Sequence, residues 1–362
     1  MKRILITGSL GYIGSVLTQY FREEGLECRG FDTGFFKDCL FYPYSDPATI
    51  LGDMRSFKEE YLDGIDAVIH LAAISNDPFG NLSPERIYDP TRVYAVALAK
   101  LCKKKCIKFI FPSSCSIYGV GQDGLCNEDT APCPQTAYSL NKLQIEDDLK
   151  KISDKNFSPV ILRLATVFGL SPRIRFDVVI NMLTAMAFTT KKIILNSDGK
   201  AWRPHVHILD VCKAMKLAIN FNEPLDGPLI LNVGNDTQNY QIIQIAQMIR
   251  ENVPGSEIGF LHKRNDFNKE EELIRDRKIQ DGVDKRTYKV SFVRIHKMFE
   301  DFRCDWTIRS GIKNMIENFK ETNLTVEKFK NINYYRLQKI EHLFQNRYVS
   351  EDLTWISQKA IC

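Results

Sequence analysis

The chain has 362 residues, 44% hydrophobic and 26% charged, with a formal net charge of +4. That length gives a prior of about two domains and ample chain for a large buried core, and the composition is that of an ordinary soluble globular protein. The small net charge makes no electrostatic case for nucleic acid or an anionic membrane, although it suits a site for a phosphorylated ligand.

In chain order, "RILIT" reads as a strand and "YIGSVLTQYFREEG" as a helix closed by a C-terminal glycine. "ECRGFD" is a second strand, "ATILGD" a third and "AVIHLAA" a fourth, followed by a helix over "RVYAVALAKLCKKK". "KFIFPSS" is the next strand, then comes a helix from about Tyr138 to Lys151, and "PVILRLATVFG" is a further buried strand. These runs are nearly all apolar rather than alternating, as parallel strands covered on both faces require. Strand and helix alternating in this way predict a doubly wound α/β domain with a parallel sheet.

After Gly169 the pattern loosens. A helix ("VVINMLTAMAF"), a short strand ("KIILN"), "RPHVHILDV" and a helix ("VCKAMKLAINF") follow. "LILNVG" reads as one more sheet strand, so the chain weaves between two domains, and "QIIQIAQMIRENVPG" is an amphipathic helix ending at Pro254-Gly255. The expected division is 1–169 for the first domain, with returning segments near 204–235, and 170–330 for a smaller, interleaved α/β domain. The charged run in 263–284 is read as a mobile insertion or solvated helix. Residues 331–362, with "YYRLQKIEHLF", are expected as a helical appendage or an oligomer contact.

Ten cysteines are scattered without a CxxC pair, which suits reduced thiols in a cytosol rather than a disulfide framework. The N-terminal apolar run is broken by Gly8 and Gly11, so it is not read as a signal peptide. No run of about 18 apolar residues predicts a membrane span. His205 and His207 share a strand face without further ligands in sequence, and no metal site is expected.

"TGSLGYIG" spans Thr7 to Gly14, between the first strand and the first helix. A glycine-rich loop there has a mechanism: Gly8 permits the tight turn, Gly11 lets backbone approach a pyrophosphate, and Gly14 lets helix pack on strand. The helix N-terminus, with Tyr12 and Ile13, offers free N–H groups to the phosphates. Asp32 ends the second strand about 20 residues on, where an acid accepts from the ribose hydroxyls and repels a 2′-phosphate, favouring NAD over NADP. "LGDMR" adds Asp53, a candidate acceptor for the adenine amino group, and Met54. "HLAA" supplies Leu71, Ala72 and Ala73 where the fourth strand must pass the cofactor. Together these make a Rossmann-type domain for NAD.

In "AYSLNK", Tyr138 stands four residues before Lys142 at the start of a helix. The pair reads either as i,i+4 surface neighbours or as a proton-transfer pair, the ammonium lowering a phenol pKa of about 10. The context decides. "TGSLGYIG", "LGDMR", "HLAA", "PSSCSIYG", "YSLNK", "RLATVFG" and "WRPHVHILDV" occur in an order that resembles the extended short-chain dehydrogenase/reductase family, in its nucleotide-sugar epimerase and dehydratase branch, over roughly residues 3 to 320. The resemblance implies that Tyr138 is the general base and that Lys142 lowers its pKa and binds the nicotinamide ribose. Ser114, four before Tyr118, would orient the reacting oxygen, a role for which Ser113 is easily mistaken.

The chain also departs from the family pattern. Dehydratases of the branch carry a Thr-Asp-Glu run from the position of Ser114; here Cys115 and Ser116 follow, with no acid to expel a hydroxyl as water. Cys115 stands three before the tyrosine of the "YG" pair, not two as in the branch's 3,5-epimerases and keto-reductases, and is read as packing. Thr91 and Thr166 replace asparagines common in relatives. For the substrate, Arg203 matches the family's arginine on the nucleotide diphosphate, where a guanidinium fork suits the group, and Arg286 lies near its second one at a different spacing. "SPRIRFDVVIN" adds Arg173, Arg175 and Asn181, and Thr166 joins Ser114 among the substrate contacts. The resemblance implies a cytoplasmic, homodimeric NAD-dependent enzyme on nucleoside-diphosphate sugars. A 4-epimerase is the leading reading, and a 4-dehydrogenase or keto-reductase on hexose or GDP-heptose in surface-polysaccharide biosynthesis the alternative. A non-catalytic cofactor-binding regulator is the remote one.

Overall fold

The computed structural model describes residues 2–46, 48–74, 84–261 and 286–356. Its strands are β1 (Arg3–Thr7), β2 (Glu27–Asp32), β3 (Thr49–Leu51), β4 (Ala67–His70), β5 (Lys108–Ser114), β6 (Val120–Cys126) and β7 (Val160–Leu164). They continue with β8 (Thr166–Phe168), β9 (Lys192–Leu195), β10 (Trp202–His207), β11 (Leu229–Val233), β12 (Asn239–Gln241), β13 (Glu257–Phe260) and β14 (Thr287–Val290). Seven of them form one sheet, ordered β11-β7-β5-β4-β1-β2-β3, with every neighbouring pair parallel.

Successive strand residues face opposite sides, and both sides are apolar. Ile4 and Ile6 of β1, Ala67 and Ile69 of β4 and Ile110 of β5 enter one core. Leu5, Val68, Phe109 and Phe111 enter the other. The first core is closed by α1 (Tyr12–Glu23) and by a returning helix over Ile208–Asn220, through Leu17, Phe21, Val211 and Met215. The second is closed by α2 (Pro84–Lys104) and α3 (Ala137–Ile152), through Leu98, Cys102, Ile145 and Leu149. Most strand positions therefore need apolar residues, which is why no regular polar alternation marks these strands. α1 ends as its sequence predicts: Gly25 adopts φ +73°, its N–H reaches Arg22 O, and Leu26 N–H reaches Phe21 O.

The run "PVILRLATVFG" was expected as one strand. It is two. Val160–Leu164 stays in the seven-stranded sheet, while Thr166–Phe168 pairs in parallel with His205–His207 of β10 in a second sheet of order β12-β10-β8. Ala165 is the crossing point, its N–H bonded to Val233 O at 3.0 Å. Apolar character is the same on both sides of the break, so composition carries no sign of it. Within 204–235, the helix over Ile208–Asn220 and β11 return to the main sheet, whereas β10 belongs to the second. A separate core gathers α4 (Val179–Thr190), the helix α6 (Ile242–Asn252) and the helix over Ile308–Glu321, around Phe176, Met186, Ile249 and Phe319. The charged 263–284 run lies outside the described residues apart from its flanks.

The carboxyl-terminal helix, Arg336–Gln345, packs back onto the body. Leu337, Ile340 and Leu343 join Val349 and Leu353 against Phe35, from the loop after β2, and Tyr88 of α2.

His205 sits fully buried on β10 with neither ring nitrogen hydrogen-bonded. Burial, assisted by the neighbouring Arg203 charge, pushes its pKa down to about 3. It stays neutral in the fold, while the unfolded chain takes up a proton below about 6.5. The stability tied to this group is full above 6.5 and lost as pH falls towards 3. His205→Leu removes that proton uptake. Urea unfolding of both proteins should show wild type losing about 1.4 kcal/mol per pH unit more than the variant between roughly pH 5.5 and 4. Parallel pH profiles would refute a neutral His205.

Candidate functional site

The sheet reverses direction of winding between β1 and β4, and a crevice opens there at the carboxyl ends of the strands. The glycine loop forms its floor. Gly8 has φ +75°, and a Cβ there would lie 2.8 Å from the backbone nitrogen of Ala72. A Cβ on Gly14 would lie 2.1 Å from Gly8 O, so only glycine lets α1 sit this close to β1. Gly11 caps α1 with no side-chain bond to its first amides, and those N–H groups are left for an anion.

Asp32 stands at the rim. Its carboxylate accepts from Leu10 N–H at 3.0 Å and Gly34 N–H at 2.7 Å, which fixes its direction without exhausting its acceptor sites. Burial raises its pKa, with those two N–H groups and then Arg173 and Arg336 opposing the rise. Asp53 is bound by Arg55, at 2.8 Å from Nε and 2.5 Å from Nη2. Met54, Leu71, Ala72 and Ala73 complete the walls, and Tyr12, Ile13, Tyr138 and Lys142 line the same cleft. All the sequence-predicted cofactor residues thus come together around one crevice.

At its inner end, Thr136 and Ser139 form a reciprocal cap that starts α3 and places Tyr138 in its first turn. Lys142 is buried, donates to Pro112 O at 2.9 Å and lies 4.5 Å above the Phe111 ring and 5.9 Å from that of Tyr138. Burial pushes its pKa down to about 8, against the attraction of Glu146. Ser113 is turned inward, donating to Glu146 at 2.5 Å. Ser114 is half-buried, its oxygen accepts from Ser116 N–H at 3.1 Å, and it lies outside the cleft lining, which Ser113 joins instead. Cys115 is buried with its thiol on Arg163 O, and burial raises its pKa well above the usual range, as a packing residue requires.

The predicted substrate residues divide. Arg175 lines the cleft and holds Asp177 at 2.8 Å. Arg203 and Arg286 lie together outside the cleft lining, Arg203 donating to the Arg286 carbonyl and stacking 5.3 Å from the Tyr288 ring. Thr166 is on β8, partly buried. Asn181 differs from expectation. It is fully buried, accepts from Gly169 N–H at 3.0 Å and donates to Tyr12 OH at 3.2 Å and Arg175 O at 3.2 Å. Its amide is committed to the scaffold rather than exposed to a ligand.

Sequence reading missed Thr33, Phe35, Phe36, Tyr94, Arg336, Asp352 and Leu353, which also line the cleft. Thr91, noted only as a replacement, lines it too, receiving the Tyr94 hydroxyl at 3.1 Å. The aromatic loop after β2 carries a local signal, "TGFF" directly behind Asp32; the three carboxyl-terminal residues carry none.

The family described as NAD dependent epimerase/dehydratase matches residues 4–234, and the chain belongs to it. A UDP-glucose 4-epimerase of Corynebacterium glutamicum is 26% identical over 265 residues, 69% of this chain and 80% of that protein. Among solved structures, an NAD-dependent NDP-hexosamine 5,6-dehydratase of tunicamycin biosynthesis superposes with a TM-score of 0.72 at 21% identity, covering 89% of this chain and 98% of the other. UDP-glucuronic acid 4-epimerase from Bacillus cereus, in complex with UDP-glucuronic acid and NAD, does so at 0.67 and 23%, covering 88% and 99%. At such identities the two structures establish the fold. The open amides of α1, the glycine contacts that any Cβ would fill and the acid at the end of β2 fit the dinucleotide of an NAD enzyme.

NAD(H) should bind at least tenfold tighter than NADP(H), a difference of about 1.4 kcal/mol, because Asp32 opposes a 2′-phosphate. Asp32→Asn should narrow the ratio. Calorimetry giving equal affinities in wild type would remove Asp32 from the ribose site.

Proposed function

We propose that this chain is an NAD-dependent nucleotide-sugar 4-epimerase. One observation carries the reading: Tyr138 and Lys142 close the inner end of the same cleft whose outer end is built from the glycine loop and Asp32. NAD, when bound, supplies the acceptor and then the donor of a hydride at C4 of the sugar. The chain's own residues handle the proton. Tyr138 takes it from the C4 hydroxyl and returns it. Lys142 keeps its charge below about pH 8 and lies near enough to Tyr138 to favour the phenolate. Ser114 orients the sugar oxygen.

The stretch after Ser114 argues against dehydration, since Cys115 is buried in packing and no carboxylate occupies its place. Arg203 and Arg286, adjacent in the fold, are our candidates for the nucleoside diphosphate, with Arg175 and Thr166 towards the sugar. We further propose a cytoplasmic homodimer acting in surface-polysaccharide biosynthesis. Cys28, Cys102 and Cys212 are buried as free thiols, and Val93 and Leu140 are exposed on the paired helices α2 and α3.

Tyr138→Phe should cut turnover by roughly 10² or more while NAD affinity stays within twofold, as loss of a proton-transfer group requires. A variant that keeps most of its activity would exclude Tyr138 as the base. An epimerase also returns its hydride. Turnover of UDP-glucose or a related sugar nucleotide should therefore need no added NAD and show no rising absorbance at the reduced-nicotinamide band. Steady NADH accumulation, or a product that keeps a ketone, would replace the epimerase by the 4-dehydrogenase reading.

A further inference from the structure

The carboxyl-terminal segment reaches the cofactor cleft, although it lies beyond the residues the family match covers. Arg336 opens the helix Arg336–Gln345 and lines the cleft with Gly11, Tyr12 and Asp32. It is 5% exposed. Its main-chain N–H bonds Asp177 at 3.2 Å, its Nη2 bonds Arg173 O at 2.9 Å, and its guanidinium stacks 4.1 Å from the Phe36 ring. Its Nη1 is buried and makes no hydrogen bond. A buried guanidinium nitrogen without an acceptor is costly, and such a donor implies a missing partner.

The local charge agrees. Arg173, Arg175 and Arg336 meet here, whereas the carboxylates facing them are Asp32 and Asp177, and nearby Asp46 is held by Arg22 at 2.5 Å. Burial, then repulsion by Arg175, pushes the pKa of Arg336 down to about 10. Among the described residues, the site is one negative charge short. It lines the same cleft as the open amides of α1, where a phosphate has both kinds of donor available.

Further along, the chain is fastened across the mouth. Arg55, already bound to Asp53, donates to Asp352 O at 2.6 Å and Leu353 O at 3.1 Å. Trp355 donates to Thr33 O at 2.7 Å and packs 5.4 Å from the Phe35 ring. Asp352 and Leu353 line the cleft; Trp355 is outside the lining and acts only as a fastener.

We infer that residues 336–355 are a clasp on the dinucleotide: Arg336 donates to the pyrophosphate, and the strap fastened by Arg55 and Trp355 closes the adenosine end. The inference rests on the cleft being the NAD site. It makes the cofactor a resident group with slow exchange, which suits an enzyme that returns its own hydride.

The test uses the full chain and three variants, Arg336→Lys, Arg336→Gln and Trp355→Ala. Adenosine, ADP, NAD and NADP are titrated by calorimetry, and release of prebound NADH into excess NAD is followed by fluorescence. Arg336→Gln should weaken ADP and NAD tenfold or more and adenosine less than twofold. Arg336→Lys should fall between, having the charge without the fork. Trp355→Ala should keep the melting temperature within a few degrees and speed NADH release tenfold or more. Equal losses for ADP and adenosine would reduce Arg336 to packing and overturn its role. A loss confined to NADP would reassign it to a 2′-phosphate, with the same result. Unchanged release from Trp355→Ala would remove the strap. Wild type that binds neither NAD nor ADP would overturn the cofactor cleft itself, and the clasp with it.

Discussion

The inner end of the cleft depends on one buried ion pair. Glu146 and Arg163 meet at 2.8 Å with 0% and 2% of their side chains exposed. Glu146 lies on α3, one turn after Lys142 and two after Tyr138, so its tether sets the rotation and height of that helix. Arg163 is on β7 and extends the tether to Tyr118 OH at 3.0 Å, which reaches Asn232 of β11 at 2.8 Å. Ser113 joins from β5. Four elements are thereby held in register under Tyr138 and Lys142. Such a pair adds little net stability against an apolar replacement, but removing one partner strands a buried charge at a cost of about 3–5 kcal/mol. Its value lies in position.

A second constraint joins the two halves of the cleft. Tyr12, at the start of α1 in the cleft lining, donates to Gly169 O at 2.8 Å and accepts from Asn181 of α4. Ser15 of the same helix meets Ser171 at 3.2 Å. These bonds are buried, so the sheet core and the core around Phe176 are tied where they meet. A side chain expected to touch substrate is spent on this joint instead.

What could be read from sequence followed the distance over which each feature is determined. The glycine loop lies within eight residues: Gly14 is demanded by contact with Gly8 inside the loop, and Gly8 by its own φ of +75°, to which the backbone of Ala72 adds a distant contact. Asp32 and the Tyr138–Lys142 pair are likewise fixed by position on one strand end and one helix. The break at Ala165 escaped because its cause is β10, some forty residues later, competing for the same apolar run. The part of Asn181 escaped because an asparagine bound to backbone and one facing a ligand look identical in sequence. Arg336 escaped for the same reason at greater range: the contacts that place its segment join residues 297 and 322 positions apart.

That separation bears on synthesis. The glycine loop, Asp32 and the Tyr138 helix leave the ribosome long before residues 352–355, and the floor and walls of the crevice need none of those late residues for their own hydrogen bonds. While the chain is being made, the crevice is therefore roofless. The Arg55 guanidinium and the Thr33 carbonyl are then uncommitted to residues 352–355. On the clasp inferred above, a dinucleotide arriving before residues 352–355 are made meets an open crevice, and one arriving afterwards needs the contacts of Arg55 and Trp355 to part first.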